Sequence, residues 1–475
     1  MEKVRMGIEG LDEILYGGIL RGGSILVEGT PGVGKTTLGM QFIHEGIVKY
    51  GEAGLIVTFE EVPVQMYRDA LNFGWDLRRL SQEGKLRVIP TSPAVFQQQI
   101  DSPEGLIQRA LREMDVRRIM IDSITHFQRI TSDPIALREL LNRLLNLLRQ
   151  GEYTTILVGE VTPSAADISF EEYVVDAVFR LSFEITPEGQ SGRYLEVIKA
   201  RGQDFMPGKH AVAFGPQGMM VYPTPQPKVR VLSGEGRPPL GLERISTGIA
   251  GLDDMLGGGL FRGFATLIAG EDGTGKTAVG VHFLHEGANQ GEKGLFISLA
   301  EKPHKIVSLA SAIGMDLRSP LESDLLTFIH RPPMGLNLNE LYCQIREALA
   351  DGSVRRVLFD SLADVEINIT SPVRLRDFVY SLLDLFDEHQ VTSIFTANVH
   401  GDVRETAQVD PHLALIMDTI VLLRYREIEG RRRKVATVLK IRGSDHDPGT
   451  RGYKITPKGV IMGPAFAVRD ILMGT

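Results

Sequence analysis

The sequence predicts two copies of one α/β fold, each a mainly parallel β-sheet covered by helices on both faces. Three observations point there. Short apolar runs alternate with stretches of helical spacing along the whole chain. Those runs are continuous rather than alternating, which suits strands buried on both faces. The pattern also repeats. Gly7-Ile-Glu-Gly-Leu-Asp12 returns as Gly248-Ile-Ala-Gly-Leu-Asp253, His44-Glu45-Gly46 as His285-Glu286-Gly287, and Lys199-Ala-Arg201-Gly202 as Lys440-Ile-Arg442-Gly443, each 241 residues later.

In the first copy Gly23–Glu28 reads as a strand and Thr36–Val48 as the helix after it. Gly54–Phe59, Arg118–Asp122 and Thr155–Gly159 read as further parallel strands. Ala177–Glu184 and Tyr194–Lys199 read as an antiparallel pair closing the sheet, and Thr419–Tyr425 with Lys434–Lys440 repeats them. Pro223, Pro225, Pro227, Pro238 and Pro239, with Gly234 and Gly236, crowd one stretch. Proline neither donates to a ladder nor continues a helix. The expected division is therefore a first domain over 1–222, a linker over 223–243, and a second domain over 244–475 with a short C-terminal tail.

Composition narrows the class. Of 475 residues, 43% are hydrophobic and 24% charged, which excludes wholesale disorder. The net charge of −8 argues against a dedicated nucleic-acid binder, which needs a basic surface, without excluding a local basic patch. The single cysteine, Cys343, rules out an intrachain disulfide and is expected as a small core residue. No apolar run approaches the ~18 residues needed to span a bilayer. The first ten residues carry Glu2, Lys3, Arg5 and Glu9, unlike a secretory signal, so a cytoplasmic protein without membrane attachment is expected.

Two segments carry the strongest chemistry. Gly29-Thr30-Pro31-Gly32-Val33-Gly34-Lys35-Thr36 and Gly270-Glu271-Asp272-Gly273-Thr274-Gly275-Lys276-Thr277 both fit G-x-x-x-x-G-K-[ST]. Glycines allow backbone N–H groups to turn inward and cradle phosphates. Lys35 and Lys276 supply charge to the β- and γ-phosphates. Thr36 and Thr277 offer a hydroxyl to Mg²⁺. Each loop follows a predicted strand and opens a predicted helix, whose positive end adds to the site. Thr37 and Ala278 complete the two segments.

Asp122 and Asp360 close predicted strands and each precedes a serine. A carboxylate there can reach the Mg²⁺ shell; the competing role is a helix cap. Glu60 and Glu61 end the second strand, where an acid can orient or deprotonate an attacking water. The second half reads Ala300-Glu301 at this place, so the halves are chemically unequal. Lys199 and Arg201, like Lys440 and Arg442, stand at i and i+2 and share one side of a strand. Two readings stay open from spacing: cations delivered to a neighbouring subunit's γ-phosphate, or a solvated edge face.

These residues together resemble the KaiC family of circadian-clock ATPases, built from two tandem RecA-like P-loop domains. The two phosphate loops carry the resemblance, with Thr58-Phe-Glu60-Glu61, Asn72-Phe-Gly-Trp75, the two Lys-x-Arg-Gly tracts, Asp418-Thr-Ile-Val and Gly443-Ser-Asp-His446. It implies a double-ring hexamer with ATP and Mg²⁺ between subunits, regulatory protein partners, and Lys-x-Arg pairs acting in trans. It further implies nucleotide contacts at Asn72, Arg193, Lys434 and His446, and at Ile313, where the family has a tryptophan.

The family phosphorylates a Ser-Thr pair in its second half. Here that pair is Ala414-Leu415, and the base position is Ala300, so no such autophosphorylation is expected. The leading expectation is an oligomeric ATPase with nucleotide-driven conformational output and a clock or timing role inherited from the resemblance. Two alternatives remain: a DNA-dependent ATPase of the recombinase kind, for which Arg431-Arg-Arg-Lys434 is the candidate patch, and a low-turnover nucleotide-gated scaffold.

Overall fold

Ser24–Gly29 (β1), with every residue buried, is the inner strand onto which the first unit's sheet is built. The structure is a computed structural model describing residues 2–102, 104–130, 133–161, 170–185, 191–226, 243–369, 371–399, 409–428 and 430–465. The chain divides into two units, Met1–Thr224 and Pro225–Thr475. Residues 227–242 of the expected linker and the tail 466–475 lie outside the described residues.

The other strands of the first sheet are Ala53–Thr58 (β2), Leu86–Pro90 (β3), Val116–Asp122 (β4), Thr154–Glu160 (β5), Ala177–Ile185 (β6), Ser191–Ala200 (β7), Lys209–Gly215 (β8) and Gly218–Tyr222 (β9). Their order is β9-β8-β7-β6-β1-β5-β4-β2-β3. Strands β6, β1, β5, β4, β2 and β3 run parallel, and β7, β8 and β9 continue antiparallel.

The second unit repeats this with Ala265–Gly270 (β10), Lys293–Ser298 (β11), Leu326–His330 (β12), Val354–Asp360 (β13), Thr392–Asn398 (β14), Thr419–Ile428 (β15), Arg431–Ile441 (β16), Thr450–Thr456 (β17) and Gly459–Ala465 (β18). The equivalent order is β18-β17-β16-β15-β10-β14-β13-β11-β12. One expectation needs correction. The pair β6–β7 does not close the sheet, because a further hairpin, turned at Pro216-Gln217, adds β8 and β9 beyond it. The pair β15–β16 is likewise extended by β17 and β18.

Continuous apolar strands feed two cores at once. Ile25, Val27, Ile56, Met120 and Ile156 line one face of the first sheet, while Leu26, Leu55, Val57, Ile121 and Leu157 line the other. The second sheet divides the same way, with Ile268, Phe296 and Leu358 opposite Leu267, Ile297 and Phe359. Cys343, expected in the core, is half-buried on the helix Leu338–Leu349. Among the described residues no helix is long and apolar enough to cross a membrane.

The repeated tracts have structural causes. Asp12 accepts the Met6 and Gly7 N–H groups at 2.6 and 3.1 Å, and Asp253 accepts the Thr247 N–H at 2.9 Å, which folds the chain onto a short ribbon in each unit. The glycine of each His-Glu-Gly tract makes room for a buried arginine. A Cβ on Gly46 would lie 2.2 Å from Arg118 Cδ, and one on Gly287 2.5 Å from Arg356 Cδ. Arg118 Nε donates to Glu52 at 2.6 Å and Nη1 to the Phe42 carbonyl at 3.0 Å. Arg356 makes the same bonds to Glu292 at 2.6 Å and Phe283 at 3.0 Å.

Candidate functional site

Each phosphate loop joins its inner strand to a helix, Lys35–Tyr50 (α1) and, after the short helix Phe170–Val174 (α2), Lys276–Asn289 (α3). The turn into the helix needs glycine for two reasons. Gly34 and Gly275 have φ of 110° and 102°. Their missing Cβ atoms would also stand 2.4 Å from Phe214 Cζ and Ile455 Cδ1.

Lys35 folds back along the loop. Its Nζ donates to the carbonyls of Gly29 at 2.8 Å and Thr30 at 3.0 Å. Lys276 does the same to Gly270 at 3.0 Å and Glu271 at 3.2 Å. Burial pushes both ammonium groups down, against the pull of Glu160 and Asp122 on Lys35 and of Asp272 and Asp360 on Lys276. An ammonium held by neutral carbonyls in a glycine cradle is suited to polyanionic phosphate.

Thr36 donates its hydroxyl to Asp122 Oδ2 at 2.7 Å, and Thr277 to Asp360 Oδ2 at 2.7 Å. The aspartates therefore do not cap the next turn; Ser123 and Ser361 hold that position without a side-chain cap. Burial drives both carboxyls above their ordinary range, opposed by the hydroxyl bonds. Asp360 has a second hydroxyl partner, Thr396. A hydroxyl beside a carboxylate, both hard oxygen donors, fits a Mg²⁺ that also takes phosphate oxygens.

Glu60 and Glu61 follow β2 beside this pair. Phe59 N–H bonds the Asp122 carbonyl at 2.9 Å, which fixes the two strand ends together. Burial first, then Asp122, Asp69 and Glu60, pushes the Glu61 carboxyl up. His126 Nε2 lies 2.9 Å from Glu60 Oε1. Sequence reading missed this histidine; its signal is only its place four residues after Asp122. At the same distance after Asp360 stands Asp364, bonded to Ser361 at 2.6 Å. The second half thus has Ala300 and Asp364 where the first has Glu60 and His126.

The Lys-x-Arg pairs lie elsewhere in their own unit. Lys199 donates to the carbonyls of Glu172 and Val175 at 2.6 and 2.7 Å, and Arg201 to Tyr173 at 2.6 Å. These carbonyls lie in and just beyond the helix Phe170–Val174 (α2). Lys440 and Arg442 hold Ala414, Met417 and Leu415 at the helix Pro411–Ile416 (α4) in the same manner. A bulge precedes each pair, between Val178 and Phe179 and between Ile420 and Val421 on the facing strands.

The remaining candidates are spread around the loops. Arg193 sits over the rings of Phe183 and Phe214, the latter packed against Gly34. Lys434 lies 5.9 Å from the Tyr425 ring. Asn72 and Ile313 end the helices Pro63–Leu71 and Pro303–Ala312. His446 donates its N–H to Asp445. Arg431, Arg432 and Arg433 are the exposed start of β16.

A strand, a glycine loop, a helix-opening lysine and a hydroxyl–aspartate pair, present once on each of two mainly parallel sheets, define a tandem P-loop nucleotide-binding protein. The family model "ATPase: KaiC" matches residues 4–226 and again 245–466. The chain is 33% identical over 474 residues to the circadian clock oscillator protein KaiC of Parathermosynechococcus lividus, covering 98% of this chain and 86% of that one. It is 32% identical over 467 residues to KaiC of Synechococcus elongatus, covering 96% and 88%. The chain belongs to the KaiC family of P-loop ATPases, with two tandem RecA-like domains.

Proposed function

We propose that this chain binds ATP with Mg²⁺ at both phosphate loops, hydrolyses it in the first half, and uses nucleotide state to control a ring of its own copies. The observation that carries this reading is the Thr36–Asp122 pair beside Lys35, with Glu60 and Glu61 at the neighbouring strand end. Lys35 and the loop amides would hold the β- and γ-phosphates. Thr36 and Asp122 would hold Mg²⁺, which when bound offsets phosphate charge. Glu61, with its carboxyl pushed up, is suited to accept a proton from water, since a general base works best when its pKa lies near the working pH. Glu60, oriented by His126, would position that water.

The second half keeps Lys276, Thr277 and Asp360 for binding. Only Glu301 stands near the base position, and it turns ATP over slowly in this reading. Autophosphorylation of the family's kind is absent, since Ala414 and Leu415 offer no hydroxyl and Ala300 no carboxylate. Lys199 and Arg201 are proposed to reach a neighbouring copy's nucleotide when the ring forms. A timing role follows the relatives' printed description as clock oscillator proteins.

The test is light scattering with and without ATP, with phosphate release assayed on the same samples. An ATP-dependent oligomer that releases phosphate is expected, with release in Glu60→Gln/Glu61→Gln reduced to the slow turnover of the second half. A monomer with ATP bound would remove the trans role of Lys199 and Arg201.

A further inference from the structure

Two tyrosine hydroxyls grip the second phosphate loop. Tyr425 donates to the Gly273 carbonyl at 2.8 Å, and Tyr453 to the Thr274 carbonyl at 2.6 Å. Tyr453 and Thr274 are both buried. The Tyr425 N–H also donates to the Glu271 carboxylate at 3.0 Å. Arg432 lies 3.9 Å over the Tyr425 ring and reaches the same carboxylate at 3.3 Å. The loop is therefore tied at Glu271, Gly273 and Thr274 by residues of β15, β16 and β17 of its own sheet.

Among the described residues the first unit shows no counterpart of these ties. Sheet register identifies the counterparts. Tyr425 pairs with Lys434, which pairs with Tyr453. Phe183 pairs with Arg193, which pairs with Val212. Phe183 and Val212 have no hydroxyl, and Thr30 stands where the second loop has Glu271.

Peptide planarity gives the ties a consequence. In a trans peptide the N–H points opposite to the C=O of the same unit. Holding the Gly273 and Thr274 carbonyls on the tyrosines therefore directs the Thr274 and Gly275 amides away from them. Thr274 N–H makes only a long turn contact of 3.3 Å with the Glu271 carbonyl. Loop amides of this kind are the phosphate-binding donors.

We infer that Tyr425 and Tyr453 are positioning residues that preset the second phosphate loop, and that the second half consequently releases nucleotide more slowly than the first. The inference rests on reading both loops as nucleotide sites. A cradle already in shape loses less conformational freedom when it is loaded, which appears chiefly in the dissociation rate.

The test uses the full chain and a fluorescent N-methylanthraniloyl-ADP. In a Lys35→Ala background bound nucleotide is expected to fall from two per chain to one. In that background Tyr425→Phe and Tyr453→Phe each speed release by about fivefold, the scale of one neutral hydrogen bond. In a Lys276→Ala background, where only the first half loads, the same two changes leave release unmoved. Unchanged release in the Tyr425→Phe/Tyr453→Phe variant, at one nucleotide per chain, overturns the inference while leaving the nucleotide sites standing. Faster release in both backgrounds also overturns it, since that is a general defect. A stoichiometry that does not respond to Lys35→Ala removes the site reading itself, and the inference with it.

Discussion

Replacing Gly46 by alanine sets two opposite effects against each other. Within a helix, alanine is favoured over glycine by about 1 kcal/mol. Against this, the new Cβ would lie 2.2, 2.4 and 2.9 Å from Cδ, Nε and Cζ of Arg118. The arginine has nowhere to go. It is 1% exposed, bonded to Glu52 and the Phe42 carbonyl, and stacked 4.5 Å from the Phe42 ring centroid. Overpacking of this kind costs about 1–3 kcal/mol. Pulling the guanidinium off Glu52 adds part of the roughly 3–5 kcal/mol of a broken buried pair. That part is reduced because Glu52 keeps Arg21 at 3.1 Å. Net destabilisation of about 3 kcal/mol is expected, or a melting shift of roughly 6–12 °C for a unit of this size. Trp75 is the chain's one tryptophan, buried and stacked on His44 in the first unit, so its fluorescence in urea reads that unit. The midpoint should fall in Gly46→Ala and largely recover in Gly46→Ala/Arg118→Met. A midpoint that rises, as helix propensity alone requires, would refute the packing argument.

Two further outcomes can be checked by unfolding. His210 Nδ1 and His282 Nε2 accept the N–H groups of Thr224 and Val460 at 3.0 and 2.9 Å, and burial holds both rings below the ordinary 6.5. The unfolded chain takes up protons that the native chain resists, so their stabilisation is complete above pH 6.5 and is lost as pH falls below it. Melting temperature should drop on acidification less steeply in His210→Gln/His282→Gln than in the parent. Separately, Glu28 is buried in the sheet and held by Arg180 at 2.6 Å, while the second half has Ala269 and Leu422 there. Arg180→Ala should cost about 2 kcal/mol in the Trp75 unfolding assay, less than a fully buried pair because Arg180 is 39% exposed. Converting both residues to the second half's pair should restore most of it.

What could be read in the sequence is what is chemically local. A glycine loop, its lysine and its threonine occupy eight consecutive residues, and continuous apolar runs give the inner strands directly. Asp122 was legible as a strand-end carboxylate, but not the 2.7 Å bond that joins it to Thr36 across 86 residues of chain. Glu60 was legible and its partner His126 was not, because nothing in the spacing brings β2 beside the turn after β4. The hairpin of β8 and β9 escaped notice since its short strands mix buried and half-buried positions without a regular alternation. The anchorage of Lys199 and Arg201 on helix carbonyls depends on where α2 ends, which no residue type in the tract reveals. The inequality of the halves was visible at Ala300, whereas the tyrosine ties became visible only once the register placed Phe183 and Val212 opposite their counterparts.

The buried arginine and glycine, with the half-buried glutamate, also constrain how either half can change over time. With Arg118 in place, Gly46 admits no larger residue; with Glu52 left half-buried beside Arg21 alone, losing Arg118 by itself costs stability; with Arg118 buried, Glu52 cannot be neutralised without stranding a cation. Every first step out of the arrangement runs downhill, and only simultaneous changes lead to an apolar alternative. Gly287, Glu292 and Arg356 are caught in the same way. The two copies have been free to part at Glu60 and Ala300, where a single substitution alters chemistry and leaves the fold intact, and they have stayed alike where no single substitution offers an exit.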